Sequence, residues 1–206
     1  MKAFQPKKIY SLEEYFELEK SKNEKFEFWD GYVWSMSGAK FAHNRIVMNL
    51  SLEIGVKIRD KGCQVLPSDM RIKVPTYQPY RYPDLTALCD TPKIEQIGGI
   101  DMLVNPRLIV EVFSESTEAF DRGDKFSYYK SIASFSEYLL VAQHRPHVSQ
   151  FVKHGDGFWA NFEFNDLSEI VELRSVTCAL PLVSIYRDIS FPETNLAVSE
   201  TEQNKE

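Results

Sequence analysis

Cysteine is scarce in this chain of 206 residues, with three at positions 63, 89 and 178. An odd, widely spaced set fits neither a disulfide framework nor a zinc site, so Cys63, Cys89 and Cys178 read as small buried hydrophobes. Histidine is nearly as rare, with four residues, and His144, His147 and His154 lack the spacing of metal ligands. Long apolar runs are missing: stretches such as Tyr138 to Ala142 fall far short of the ~20 residues a membrane helix requires. Met1 to Lys8 carries charge with no apolar segment behind it, so no secretory leader is expected and the cytoplasm is the default address. Gly98-Gly99 lacks the G-x-G-x-x-G pattern and the helix that follows it in a nucleotide loop, and reads as a connection.

Positive charge is not in excess either, since 24 Lys and Arg face 30 Asp and Glu for a net charge of −6. Such a balance is a poor first sign of nucleic-acid binding, because phosphate is neutralised by Lys and Arg. The distribution changes the argument. Residues 40 to 145 carry 14 basic and 13 acidic groups, whereas residues 146 to 206 carry 4 and 10. The acidity belongs to the last third, and the centre is open to a phosphate-bearing substrate.

What is present is enough for one folded domain, residues 1–191, with 43 % hydrophobic and 13 % aromatic residues. The polar, acidic stretch 192–206 reads as a disordered tail. Ser11-Leu12-Glu13-Glu14 has the S-x-x-E form of a capping box and predicts a helix that buries Leu12, Tyr15, Phe16 and Leu18. Phe26 to Trp29 and Tyr32 to Trp34, separated by Asp30-Gly31, predict a β-hairpin. Ile46, Val47, Leu50, Ile54 and Ile58 recur at helical spacing up to Gly62. Extended segments follow at 63–66, 70–74, 84–89 and 107–113. A helix is expected over 122–132, then strands at 137–142, 148–152, 158–164, 170–173 and 179–183. Residues 95–101 read as a connection, and 73–81, with Tyr77 and Tyr80, as either a proline-rich loop or a backbone-contacting segment.

Several residues do not belong in a core. Glu111 stands between Val110 and Val112 and shares a pleat face with Ile109 and Phe113. A carboxylate in a buried strand costs several kcal/mol unless a basic side chain or a metal ion meets it. Asp84 follows Pro83 at the start of a strand, where proline can lack its donor. Glu27 alternates with Phe26 and Phe28, either on the solvent side of its hairpin or toward a site. Lys125 lies one turn after Asp121 and one before Tyr129. It either snorkels to water over Tyr129 or points with the aromatic face toward the sheet. His43 opens the long helix, either to bond local backbone or to meet a phosphate there. Carboxylates plus a lysine suit phosphodiester chemistry, since hard oxygens hold Mg²⁺, the metal activates water, and lysine adds a point charge.

These blocks together resemble a known family. Arg81-Tyr82-Pro83-Asp84, Asn105 to Ser114, Asp121 through Lys125 to Tyr129, and Glu137 to Val141 are similar to the bacterial "putative restriction endonuclease" family of the PD-(D/E)xK nuclease superfamily. The match extends upstream to Phe26-Glu27, Gly31 and His43. The resemblance implies an α/β, restriction-endonuclease-like fold: a central mixed sheet flanked by helices, with an N-terminal helix and β-hairpin. It implies Mg²⁺-dependent DNA hydrolysis, with Mn²⁺ as a substitute, metal ligands Asp84, Glu111 and Glu27, and Lys125 as the assisting cation. His43, Arg81 and Tyr129 are expected to contact substrate. The superfamily lysine belongs two residues after the acid, where this chain has Phe113, so Lys125 stands in from the following helix. Duplex cutting would suit a homodimer. A catalytically inactive binding module of the same fold is the alternative.

Overall fold

The computed structural model describes residues 9–22, 26–29, 31–35, 38–75, 80–97 and 99–191. The expected tail, Asp30 of the hairpin turn, Tyr77 and Gly98 lie outside the described residues. Helix α1 (Leu12–Lys22) opens the chain. Its capping box forms as expected, with Ser11 N donating to Glu14 Oε2 at 2.8 Å and Glu14 N to Ser11 Oγ at 3.2 Å. The hairpin β1 (Phe26–Trp29) and β2 (Tyr32–Ser35) follows, in the register Phe28↔Val33, with Gly31 at φ 79°. Helix α2 (Phe41–Ile58) comes next, then β3 (Gln64–Pro67), β4 (Arg71–Lys73), β5 (Tyr80–Arg81) and β6 (Leu85–Leu88).

Residues 95–101, expected as a connection, instead form a hairpin of β7 (Ile94–Ile97) and β8 (Ile100–Leu103). Its strands are four residues each, β7 is largely exposed and β8 buries only Met102 and Leu103, so they carry little of the apolar alternation that marks a strand. Strand β9 (Leu108–Phe113) is buried throughout. The helix expected from 122 begins earlier, as α3 (Glu118–Phe120), a π turn (Asp121–Lys125) and α4 (Phe126–Tyr129). Strands β10 (Glu137–Ala142), β11 (Val148–Lys153), β12 (Trp159–Phe164), β13 (Ile170–Leu173) and β14 (Cys178–Pro181) lead to α5 (Leu182–Ile185).

Two six-stranded sheets result, in the orders β2-β1-β5-β4-β8-β7 and β12-β11-β10-β9-β6-β3, with β13-β14 as a separate pair. The second sheet is the expected central one. Its β9 and β10 are parallel while its other pairings are antiparallel, so it is mixed. One face packs Leu85, Leu108, Val110 and Leu139 against Ile46, Leu50, Ile54 and Ile58 of α2. The other packs Ile109, Phe113, Tyr138 and Leu140 against Phe126, Tyr129, Ile132 and Phe135. Helices therefore cover both faces of β9. Tyr15 of α1 joins Phe26, Phe28 and Tyr80 in a third cluster on the first sheet.

Two features correct the sequence reading. Cys63 and Cys89 form a disulfide, because the β3–β6 register Gln64↔Leu88 places the two residues side by side, and only Cys178 is free. Spacing in sequence, 26 residues, gives no sign of a cross-strand pair. Glu19 of α1, a position that looks like surface, is buried because fully enclosed Arg71 pairs with it and donates to Tyr82. That charge pair fastens α1 to the first sheet. Among the described residues no helix is long and apolar enough to cross a membrane.

Candidate active site

Glu111 lies in the middle of β9, only 4 % exposed, on the face of Ile109 and Phe113. Two donors meet its Oε1. Lys125 Nζ lies at 2.8 Å and Tyr129 Oη donates at 2.7 Å. Both come from the helical segment that covers this face, one turn apart, so a single helix surface delivers the ammonium and the hydroxyl. Lys125 also reaches Asp121 Oδ1 at 3.3 Å. Lys125 is thus turned toward the sheet and does not snorkel to water. The turn that carries it, Asp121–Lys125, is π-helical, a widened turn that re-aims side chains and recurs at functional sites. Phe113, where the superfamily lysine would stand, is fully buried among aromatic and aliphatic side chains.

Asp84 arrives from the other side. The β6–β9 register Leu85↔Val110 and Thr86↔Ile109 brings Asp84 opposite Glu111 at the mouth of the pair. Its Oδ2 accepts from Val112 N at 2.7 Å and lies 3.2 Å from His43 Nε2. His43 stands in the first turn of α2 and meets a carboxylate there. Glu27, on the face of β1 opposite Phe26 and Phe28, accepts from Arg81 at 2.5 Å.

Arg81 is 1 % exposed and Tyr129 fully buried. Both are enclosed, and in this structure Arg81 donates to Glu27 and Tyr129 donates to Glu111. The long side chains turn inward because each carboxylate, drawn out of water, needs a donor.

Glu27, His43, Asp84, Glu111, Asp121 and Lys125 line one open cavity of about 260 Å³. Trp34, Ala39, Tyr82, Val112 and Thr117 complete its wall, and Trp34 and Thr117 carry no sequence signal of a site. Asp121 could have been found, since D-x-x-x-K places an acid one helical turn before the lysine. Burial pushes the Glu111 carboxyl up, Lys125 opposes this, and the negative charges of Asp84 and Asp121 add to the rise, to about 8. Burial also works against the Lys125 ammonium, but Glu111, Glu27 and Asp121 more than compensate and hold it firmly protonated.

The donor set fits a hard divalent cation. Glu111 Oε2 and Asp84 Oδ1 accept no hydrogen bond among the described residues, and the repulsion by which Asp84 pushes the Glu111 carboxyl up is eased by a cation between them. Two carboxylates are a sufficient protein share for Mg²⁺, which keeps several waters and takes substrate oxygens besides. No three acidic, histidine or cysteine residues among those described close to ligand spacing, so Glu27, already held by Arg81, lies beside the pair and does not complete a cage.

A mixed sheet covered by helices, with two facing carboxylates and a lysine at one strand, defines the restriction-endonuclease-like class. The chain belongs to the Uma2 family, described as "Putative restriction endonuclease", whose profile matches residues 12–182. It is 36 % identical over 152 residues to the uncharacterised protein sll1609 of Synechocystis sp., covering 74 % of this chain and 85 % of that protein. It is 33 % identical over 181 residues to the uncharacterised protein slr1290 of the same organism, covering 88 % and 93 %. Its fold is similar to the crystal structure of "a putative nuclease belonging to DUF820" from Anabaena variabilis, with a TM-score of 0.64 and 13 % identity over 79 % of this chain and 90 % of that one. At that identity the likeness speaks for the fold alone.

Proposed function

We propose that this chain is a Mg²⁺-dependent DNA endonuclease, with Mn²⁺ as a substitute, and that Asp84 and Glu111 are its metal-holding pair. The observation that carries the reading is the convergence of these two carboxylates on one cavity, each with one oxygen held by protein donors and the other left open. When bound, a divalent cation supplies positive charge beside the phosphate and lowers the pKa of a water molecule. Lys125 fixes Glu111 through Oε1 and adds a permanent charge at the same cavity. Tyr129 holds the same oxygen, and so sets the rotamer of the acid without touching substrate. Val112 N and His43 perform that service for Asp84. Hydrolysis adds the water oxygen to phosphorus and breaks one P–O bond. The departing oxygen takes up a proton, leaving a phosphate monoester and an alcohol.

Plasmid cleavage with and without Mg²⁺ or Mn²⁺, beside Glu111→Ala purified identically, tests this. Metal-dependent nicking by the parent alone supports the proposal, and equal activity in both proteins overturns it. A second reading, a binding module without turnover, is favoured by the charge compensation already present in Lys125–Glu111 and Arg81–Glu27. It expects no metal-dependent hydrolysis.

A homodimer is part of the proposal, with one site for each strand of a duplex. The outward face of α2 supports it, since Phe41, Met48, Leu52 and Val56 are exposed in a stripe at helical spacing. Light scattering reads the mass, and Leu52→Glu is expected to convert dimer to monomer.

A further inference from the structure

Beside the catalytic cavity lies a second one of about 340 Å³, walled by Lys40, Ser114, Glu115, Ser116, Gln143 and His144. Its walls come from the entry to α2 and from the segments that follow β9 and β10. Those two strands run parallel, and the crevice beyond the carboxyl ends of parallel strands is where open α/β sheets take ligands. The two cavities alternate along the same stretches of chain. Ala39, His43, Val112 and Thr117 face the catalytic one, while Lys40, Ser114 and Ser116 face its neighbour. At about 3.3 Å per residue, Val112 and Ser114 are ~7 Å apart along the strand direction. That separation matches roughly one nucleotide of a polynucleotide backbone.

Ser114 Oγ and Ser116 Oγ bond each other at 2.9 Å, but other polar groups of the wall are unspent. Lys40 forms no ion pair among the described residues, and it stands as the N-cap residue of the 18-residue α2. The first turn of α2 holds no acid to offset its free N–H groups. Gln143 Oε1 and His144 Nδ1 are buried without a hydrogen-bond partner among the described residues, and the His144 ring stands edge-on to Phe113. Buried polar atoms are ordinarily satisfied, so orphans in a cavity wall mark a place that a ligand completes. Glu115 is the one negative side chain of the wall, and exposed.

We infer that this cavity is a substrate subsite that holds the backbone phosphate next to the scissile one, with Lys40 as its charged anchor and the His144 ring as a donor through Nδ1. The inference rests on the nuclease reading and names where the flanking nucleotide lies. Lys40 is then a positioning residue: it fixes the register of the strand so that the neighbouring phosphate falls at Asp84 and Glu111.

The test separates binding from cleavage. A short fluorescein-labelled DNA duplex is titrated with the full chain in EDTA by fluorescence anisotropy, across a series of salt concentrations. Lys40→Ala and His144→Ala are compared with the parent and with Lys20→Ala, a charge-matched change on exposed α1. Expected for Lys40→Ala is a Kd raised about tenfold, with a log Kd against log salt slope smaller by about one, the signature of one lost phosphate contact. His144→Ala weakens binding with less effect on the slope, and Lys20→Ala leaves both at the parent's values. In a second arm, single phosphates of the duplex are replaced by neutral methylphosphonates, and one position is expected to erase the difference between parent and Lys40→Ala. The subsite is overturned if Lys40→Ala keeps the parent's Kd and slope, if the Lys40 effect survives every methylphosphonate position, or if the parent binds no DNA. Absence of metal-dependent cleavage, with the binding results as expected, removes the nuclease reading and leaves a phosphate-binding site.

Discussion

Lys125→Met isolates the question of whether Glu111 is half of a structural ion pair or a metal ligand. In the metal-free protein the substitution leaves Glu111 buried, facing Asp84 and Asp121 with only Tyr129 Oη as donor. Above about pH 8, where the folded carboxyl is ionised, breaking this buried pair from one side costs about 3–5 kcal/mol. For a chain of this size each kcal/mol shifts the melting temperature by about 2–4 °C, so the loss is about 6–20 °C. Glu111→Gln costs less, because Lys125 keeps Asp121 at 3.3 Å. Mg²⁺ then decides between the readings. A cation that binds only the folded chain at ten times its Kd stabilises by about 1.4 kcal/mol, or about 3–6 °C in the parent. Lys125→Met should show a larger Mg²⁺ shift than the parent, since the metal no longer competes with an ammonium for the same acid. Glu111→Gln should show almost none. Differential scanning fluorimetry with and without Mg²⁺ reads all three. Equal Mg²⁺ shifts in the parent and Glu111→Gln would refute the metal assignment, whatever the cleavage assay shows.

Tyr129→Phe removes one donor from a buried carboxylate and should cost about 1.5–3 kcal/mol while preserving the far-ultraviolet circular dichroism spectrum; an unchanged melting temperature would show that Tyr129 does not hold Glu111. The elevated Glu111 pKa also fixes a sign. Folded, this carboxyl keeps its proton up to about 8, against an ordinary 4.5, so the folded chain binds more protons than the unfolded one within that window. Glu111's contribution therefore makes metal-free stability fall as pH rises from about 4.5 to 8, while Lys125 stays protonated throughout. Mg²⁺ competes with that proton, so the Mg²⁺-induced melting shift should grow over the same interval, and a shift independent of pH would count against Glu111 as ligand. Thiol labelling of the unfolded chain should find one reactive cysteine without reductant and three after reduction; three from the start would contradict the Cys63–Cys89 bond.

Legibility in the sequence followed from how local each signal is. The α1 capping box, the first hairpin and the buried run of β9 are written in four to nine consecutive residues, and each formed where the local pattern placed it. Glu111 was conspicuous for the same reason, a charge with apolar neighbours on both sides. The β7–β8 hairpin was not legible, because its strands are short, β7 is exposed, and their pairing depends on the edge of a sheet and not on their own alternation. Contacts across 26 residues, such as Cys63–Cys89, or across 52, such as Arg71–Glu19, leave no local trace. The burial of Arg81 and Tyr129 was not legible for a related reason. Sequence shows that a side chain can bind phosphate, but only burial shows whether it can reach one.

The site ultimately depends on a single register. Leu85↔Val110 fixes β6 against β9, and the parallel pairing Leu140↔Glu111 fixes β10 on the other side. A slip of one residue in β9 would send Glu111 to the face packed by Ile46 and Leu50 and carry Val110 or Val112 to Lys125. Both outcomes strand a charge in an apolar layer, which disfavours the slipped register. The carboxylate that the proposal assigns to the metal is therefore also a register pin, and Glu111→Leu should be accepted by the fold less readily than Glu111→Gln, although leucine is the more apolar residue. Leucine leaves the Lys125 ammonium short of its nearest counter-charge and the Tyr129 hydroxyl without its acceptor, whereas glutamine still offers a carbonyl to both.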